Sequence, residues 1–134
     1  MNRLVVTLCG IATVAVCAGA RPAPRESDDS RLAAALQGYE QSGPAVSCVS
    51  LRDLRGNKSA GDAILFDGPT SSTLWVNRPA GGCPDLNNGR ALQTRTTSTQ
   101  LCRGDIATVF DTLTGTPYGG CGLADFTPYR RVKR

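Results

Sequence analysis

Four cysteines constrain this chain more than any other feature. Cys48, Cys83, Cys102 and Cys121 follow an apolar leader that itself carries Cys9 and Cys17, and the sequence contains no histidine. An even number of cysteines in a short exported chain points to two disulfides. Their spacings of 35, 19 and 19 residues lack the close pairs that a zinc site or a dithiol redox centre uses. Without histidine, the commonest general base and the commonest metal ligand are both missing. No metal site and no cofactor is expected.

The leader, residues 1–20, has the parts of a signal peptide. Arg3 supplies the positive start, Leu4 to Val16 is apolar apart from Thr7, Cys9, Gly10 and Thr13, and Ala18-Gly19-Ala20 supplies small residues for cleavage. That run is short for a membrane span, which needs about 20 residues. Lipidation of Cys17 is the alternative fate, but bulky Val16 precedes it, and cleavage after Ala20 is preferred. The expected product is periplasmic or secreted, without stable membrane insertion, and has about 114 residues. Its charge, close to the +4 of the whole chain, is a mild excess that serves solubility.

Residues 21–44 read as a linker and a short helix. Arg21-Pro22-Ala23-Pro24-Arg25-Glu26 is Pro-rich and polar, and Ser27-Asp28-Asp29-Ser30 offers capping oxygens and acidic charge. Leu32, Ala35, Leu36 and Tyr39 follow at helical spacing, with Gly43-Pro44 as the stop.

From residue 45 to 129 the texture changes to short apolar runs punctuated by Gly, Pro, Asn and Asp. Val46 to Leu51, Ala63 to Phe66, Leu74 to Asn77, Ala91 to Thr96, Ile106 to Phe110 and Leu123 to Tyr129 are the expected strands. Turn signals separate them at Arg55-Gly56-Asn57, Asp67-Gly68-Pro69, Pro79-Ala80-Gly81-Gly82, Asn87-Asn88-Gly89 and Gly119-Gly120. The expected fold is mainly β: a small antiparallel barrel or sandwich of about six short strands, with one N-terminal helix and two disulfides. Its core would draw on Val49, Leu51, Ile64, Phe66, Leu74, Val76, Leu92, Leu101, Ile106, Val109, Phe110, Leu123 and Phe126. A core this small is marginal alone, so the cross-links matter. Cys48 opens the first strand and Cys121 precedes the last, which favours a nested pairing, Cys48–Cys121 around Cys83–Cys102. Loop closure would contribute roughly 4.4 and about 3 kcal/mol respectively. The side-by-side and interleaved pairings stay open.

The segments "CVSLRDLR", "AILFDG", "LWVNRPAGGCPDL", "STQLCRGDIATVFD" and "CGLADFTPY" together resemble a family of small exported proteobacterial proteins classed as a domain of unknown function. The likeness runs from Cys48 to Tyr129 and takes in all four cysteines. It implies a periplasmic or secreted bacterial protein and no particular activity, ligand or catalytic residue.

Candidate chemistry is sparse. Asp62, Asp67, Asp105, Asp111 and Asp125 fall at strand ends and turns, where aspartate bonds nearby backbone amides. A nucleophile such as Ser47 or Ser98 would need a lysine as its base, and Lys58 lies in a polar loop. No enzyme is expected. Arg103-Gly104-Asp105 reads as a turn beside Cys102. The basic tail of residues 130–134 reads as a frayed, solubilising end, and only Tyr129 and Trp75 offer stacking for a nucleic acid, so none is expected as a partner. Trp75 lies mid-strand: with Leu74 and Val76 inward it would face out as an anchor for a partner, and in the opposite register it would be the largest core residue.

The function these features favour is a non-enzymatic accessory module that binds a partner protein or envelope component. The alternative is a secreted inhibitor of a hydrolase, presenting residues 84–101 as a loop tied between Cys83 and Cys102, with Arg90 and Arg95 as contact residues. An enzyme working with carboxylates alone ranks third.

Overall fold

A computed structural model describes residues 27–133 apart from 84, 87 and 88. The expected signal peptide, Cys17, the linker as far as Glu26, the Asn87-Asn88 pair of one expected turn and Arg134 lie outside the described residues. Among those described, no helix is long and apolar enough to cross a membrane.

The helix begins as its sequence dictates. Ser27 caps it, its Oγ accepting from the Ser30 amide at 3.2 Å, and Asp28 and Asp29 place negative charge at the amide end of α1 (Asp28–Ala35). It ends earlier than the apolar spacing implies. Gly38 takes a φ of +80°, turning the chain out of the helix, and Tyr39 opens a strand, β1 (Tyr39–Gln41).

Among the described residues nine further strands follow: β2 (Cys48–Ser50), β3 (Gly56–Ala60), β4 (Ala63–Asp67), β5 (Thr73–Asn77), β6 (Ala91–Thr94), β7 (Gln100–Cys102), β8 (Ile106–Phe110), β9 (Pro117–Gly122) and β10 (Phe126–Arg131). They form three antiparallel sheets, ordered β1-β10-β5-β4-β3, β6-β8-β9 and β2-β7. The fold is mainly β, as expected. The sheets stack as in a sandwich and none closes into a barrel.

The central strands explain the apolar runs. In β4 every residue from Ala63 to Phe66 is buried because both faces of the sheet are covered. Ala63 and Leu65 join Leu32, Ala60 and Val76 beneath α1. Ile64 and Phe66 join Val49, Leu92, Leu101, Val109, Leu123 and Phe126 in the main core on the other side. Three expected core residues lie elsewhere. Leu51 is exposed in a 3-10 turn, while Ile106, 59% exposed, and half-buried Phe110 face outward because Ala107 and Val109 take the inward positions of β8.

The strands that sequence did not predict are β1, β3, β7 and β9. All four are sheet edges. An edge strand is held by the ladder on one side and needs little apolar alternation, which is why Gly-Asn-Lys-Ser-Ala and Pro-Tyr-Gly-Gly-Cys-Gly read as turns. The last expected strand is displaced, starting at Phe126 and running to Arg131. Fully buried Asn77 holds residues 124–125 in a turn: its Nδ2 donates to the Ala124 carbonyl at 2.7 Å and its Oδ1 accepts the Ala124 amide at 3.0 Å.

The disulfides are Cys48–Cys102 and Cys83–Cys121, an interleaved pairing that replaces the expected nested one, Cys83–Cys102 with Cys48–Cys121. Strand register decides it. Cys48 and Cys102 lie directly opposite each other in the β2–β7 ladder, and β9 turns Cys121 into the main core beside Cys83. Loop closure barely distinguishes the two arrangements, so spacing alone carries little information about the choice.

Candidate binding site

The three residues singled out as partner contacts sit in different settings. Trp75 meets neither expectation in full. Val76 faces the helix side of the five-stranded sheet, whereas Trp75, cross-strand partner of Phe66, lies half-buried at the rim of the main core. Arg90 is already engaged. Its Nη1 is 2.8 Å from the Asp85 carboxylate, its guanidinium carbon sits 3.5 Å from the centre of the Tyr118 ring, and its side chain is only 19% exposed. Arg95 is exposed after β6 and has no ion pair among the described residues. The loop expected to be tied between Cys83 and Cys102 has no disulfide of its own, because its ends are bonded to β9 and β2.

Two recesses flank one end of the five-stranded sheet, where the β4–β5 connection meets the far end of β10. Along β10, Thr127, Tyr129 and Arg131 share one face, and Pro128 and Arg130 share the other. That alternation divides the basic residues between the two sides.

On the helix side is a recess of about 420 Å³ lined by Arg55, Lys58 and Arg131, with Tyr39, Thr70, Ser71 and Thr73 supplying hydroxyls. Lys58 shares its charge with Asp67 at 3.0 Å. Arg131 donates from Nη2 to the Tyr39 hydroxyl at 3.0 Å, and that hydroxyl donates to the Ser71 carbonyl at 3.0 Å, so the guanidinium is held in place with donors to spare. Arg55 has no side-chain partner among the described residues. The connecting turn closes tightly: the Gly68 amide donates to the Thr73 carbonyl at 2.9 Å, and any side chain at position 68 would collide with Thr73. Three cations thus face one carboxylate. The expected frayed tail is in fact the end of a strand as far as Arg131, whose amide donates to the Ser72 carbonyl at 2.8 Å.

On the core side is a slot of about 240 Å³ walled by Trp75, Pro69 and Pro128, with Ser42, Asp53, Thr73 and Arg130 at its margin. Pro128 is placed directly opposite Trp75 by the β5–β10 ladder. Pro69, Thr73 and Leu74 contribute to both recesses. Neither Arg90 nor Arg95 lines either one. The only sequence signals for this end of the molecule were Trp75 and the charge run at residues 130–134. Their convergence depends on pairing β5 with β10, segments some 50 residues apart.

Arg103-Gly104-Asp105 makes the turn expected of it. The Asp105 carboxylate accepts the Cys102 amide at 2.7 Å, Gly104 takes a φ of +93°, and Arg103 pairs with Asp125 at 3.2 Å.

No family model, curated protein or solved structure matches the chain.

Proposed function

We propose that this chain is an exported, non-enzymatic binding module, periplasmic or secreted, that takes an anionic group of a partner protein or envelope component in the recess of Arg55, Lys58 and Arg131. One observation carries the reading: three cations and only one carboxylate converge on a single concave surface. Arg131 is pre-positioned by Tyr39, and guanidinium groups match the planar oxygens of carboxylates, sulfates and phosphates with paired hydrogen bonds. The setting is supported by the leader sequence and by two disulfides, which persist in oxidising compartments. A second reading, a secreted hydrolase inhibitor, is favoured by Arg95. It projects from a connection stiffened by Thr96 and Ser98, whose hydroxyls both donate to the Gln100 carbonyl, at 3.1 and 2.8 Å.

Calorimetric titration with dextran sulfate, against neutral dextran as control, tests the main reading. The double substitution Arg55→Gln with Arg131→Gln is expected to weaken polyanion binding at least tenfold, while Arg95→Ala leaves it unchanged. Binding should also fall steeply as salt is raised, because exposed charges are screened over about 10 Å at 0.1 M. Equal affinity in the double variant removes the recess from consideration. Loss of polyanion binding in Arg95→Ala instead moves the binding surface to the β6–β7 connection.

A further inference from the structure

The core-side slot has a different chemistry from the basic recess, and it lies on the opposite face of the sheet. We infer that it is a saccharide subsite that receives a single uncharged pyranose ring against Trp75. The inference stands independently of the polyanion reading.

The platform comes first. Trp75 is backed across the ladder by Phe66, which in turn packs on Phe126 with ring centres 5.7 Å apart. The half-buried indole therefore has an aromatic neighbour on the adjacent strand and lines the slot. An aromatic face is electron-rich, and the C–H face of a sugar ring is its natural complement. Pro128, opposite Trp75, and Pro69 add rigid apolar walls that lose little freedom when a ligand arrives.

The polar groups then narrow the choice of ligand. Asp53 and Arg130 both line the slot, yet they form no ion pair with each other or with any other described residue. The Trp75 indole N–H likewise has no acceptor among the described residues. A carboxylate accepts at two oxygens and a guanidinium donates from a planar fork, and adjacent sugar hydroxyls present that combination of donors and acceptors. With one group of each sign, the slot has no net preference for an ion. An apolar side chain from a protein partner would cover Asp53 and Arg130 without satisfying them, which is costly. The volume is below the roughly 300 Å³ at which sites for drug-sized ligands begin, so one ring fits and a bulky group does not.

Trp75 is the chain's one tryptophan, so intrinsic fluorescence reports directly on this slot. The oxidised protein is titrated with maltohexaose, cellohexaose and chitohexaose, and with a proline-rich decapeptide as the competing ligand type. At least one of the three sugars is expected to shift or quench the emission saturably, with an affinity that persists in 0.5 M sodium chloride. Asp53→Asn and Arg130→Gln should each weaken that binding at least tenfold, read by calorimetry, with melting temperatures unchanged. Arg55→Gln with Arg131→Gln should leave it intact, which separates failure here from failure of the anionic recess. Silence of the emission with all three sugars overturns the inference. So does saturation by the decapeptide alone, or sugar binding that ignores both slot substitutions.

Discussion

Strands β4 and β9 show how differently two parts of this small domain are held. β4 buries four consecutive residues, Ala63 to Phe66, between α1 and the main core, whereas β9 exposes every residue except Cys121. The five-stranded sheet is secured by packing on both faces. Among the described residues the three-stranded sheet is packed on one face only, and its outer face carries Ile106 lying against Gly120, where an added Cβ would come within 3.2 Å of the isoleucine and 3.0 Å of the Ala107 carbonyl. What it lacks in burial it makes up with a covalent bond at Cys121 and a cation stacked on Tyr118. A chain this short covers the centre of one sheet on both faces and fastens the other, and recesses form where the well-packed sheet reaches its end.

The largest expected effect comes from the disulfides. Loop closure assigns about 4 kcal/mol to each, against a usual total of about 5–15 kcal/mol. Full reduction should lower the melting temperature by more than about 10 °C. Replacing Cys83 and Cys121 by alanine should loosen β8 and β9 before β4 and β5, as read by amide hydrogen exchange. Exchange that begins in β4 and β5 would invert the comparison.

Next in size is a contrast between two apolar side chains. Phe126→Ala, at a fully buried site in the main core, should cost about 3–5 kcal/mol. Ile106→Ser, on the uncovered face, should stay within about 0.5 kcal/mol. Urea denaturation measures both, and similar losses would show that the outer face of the small sheet is covered in solution.

The smallest effect is one of acidity. Asp111 opens the β8–β9 turn, its Oδ1 accepting the amides of Leu113 at 2.8 Å and Thr114 at 3.0 Å. These bonds, that to Thr114 first, hold its carboxyl below the ordinary value of 3.8. A lowered folded-state value means that its contribution is complete above 3.8 and disappears as the pH falls through the depressed value. Asp111→Ala should therefore narrow the stability gap between neutral and strongly acid solution slightly. Identical acid profiles for variant and parent would show that the turn draws nothing from the ionised form.

What sequence revealed follows from the same contrast. β4, β5 and β8 were readable because their burial repeats along the chain, and Ser27-Asp28-Asp29 announced the helix because capping is local. β3 and β9 were not, since an edge needs only a neighbour's backbone, and the disulfides were not, since they follow from a β2–β7 register that no local signal encodes. At the candidate site, Trp75 was recognisable as a residue of interest. Its opposition to Pro128, and the splitting of Arg130 and Arg131 onto two faces, exist only once β5 and β10 pair.

The interleaved disulfides carry one more consequence, for survival among peptidases. Cut the backbone once anywhere between Cys48 and Cys121, and at least one bridge still joins the pieces. Cut it once between Cys48 and Cys83 and again between Cys102 and Cys121, and all three fragments remain a single molecule; a nested pairing would release the middle one. The second interval includes the β8–β9 hairpin tip, where Leu113 is 94% exposed and readily reached by a foreign enzyme. A nick there leaves both halves of the sandwich covalently joined, with the recesses at the other sheet still assembled from strands on either side of the break.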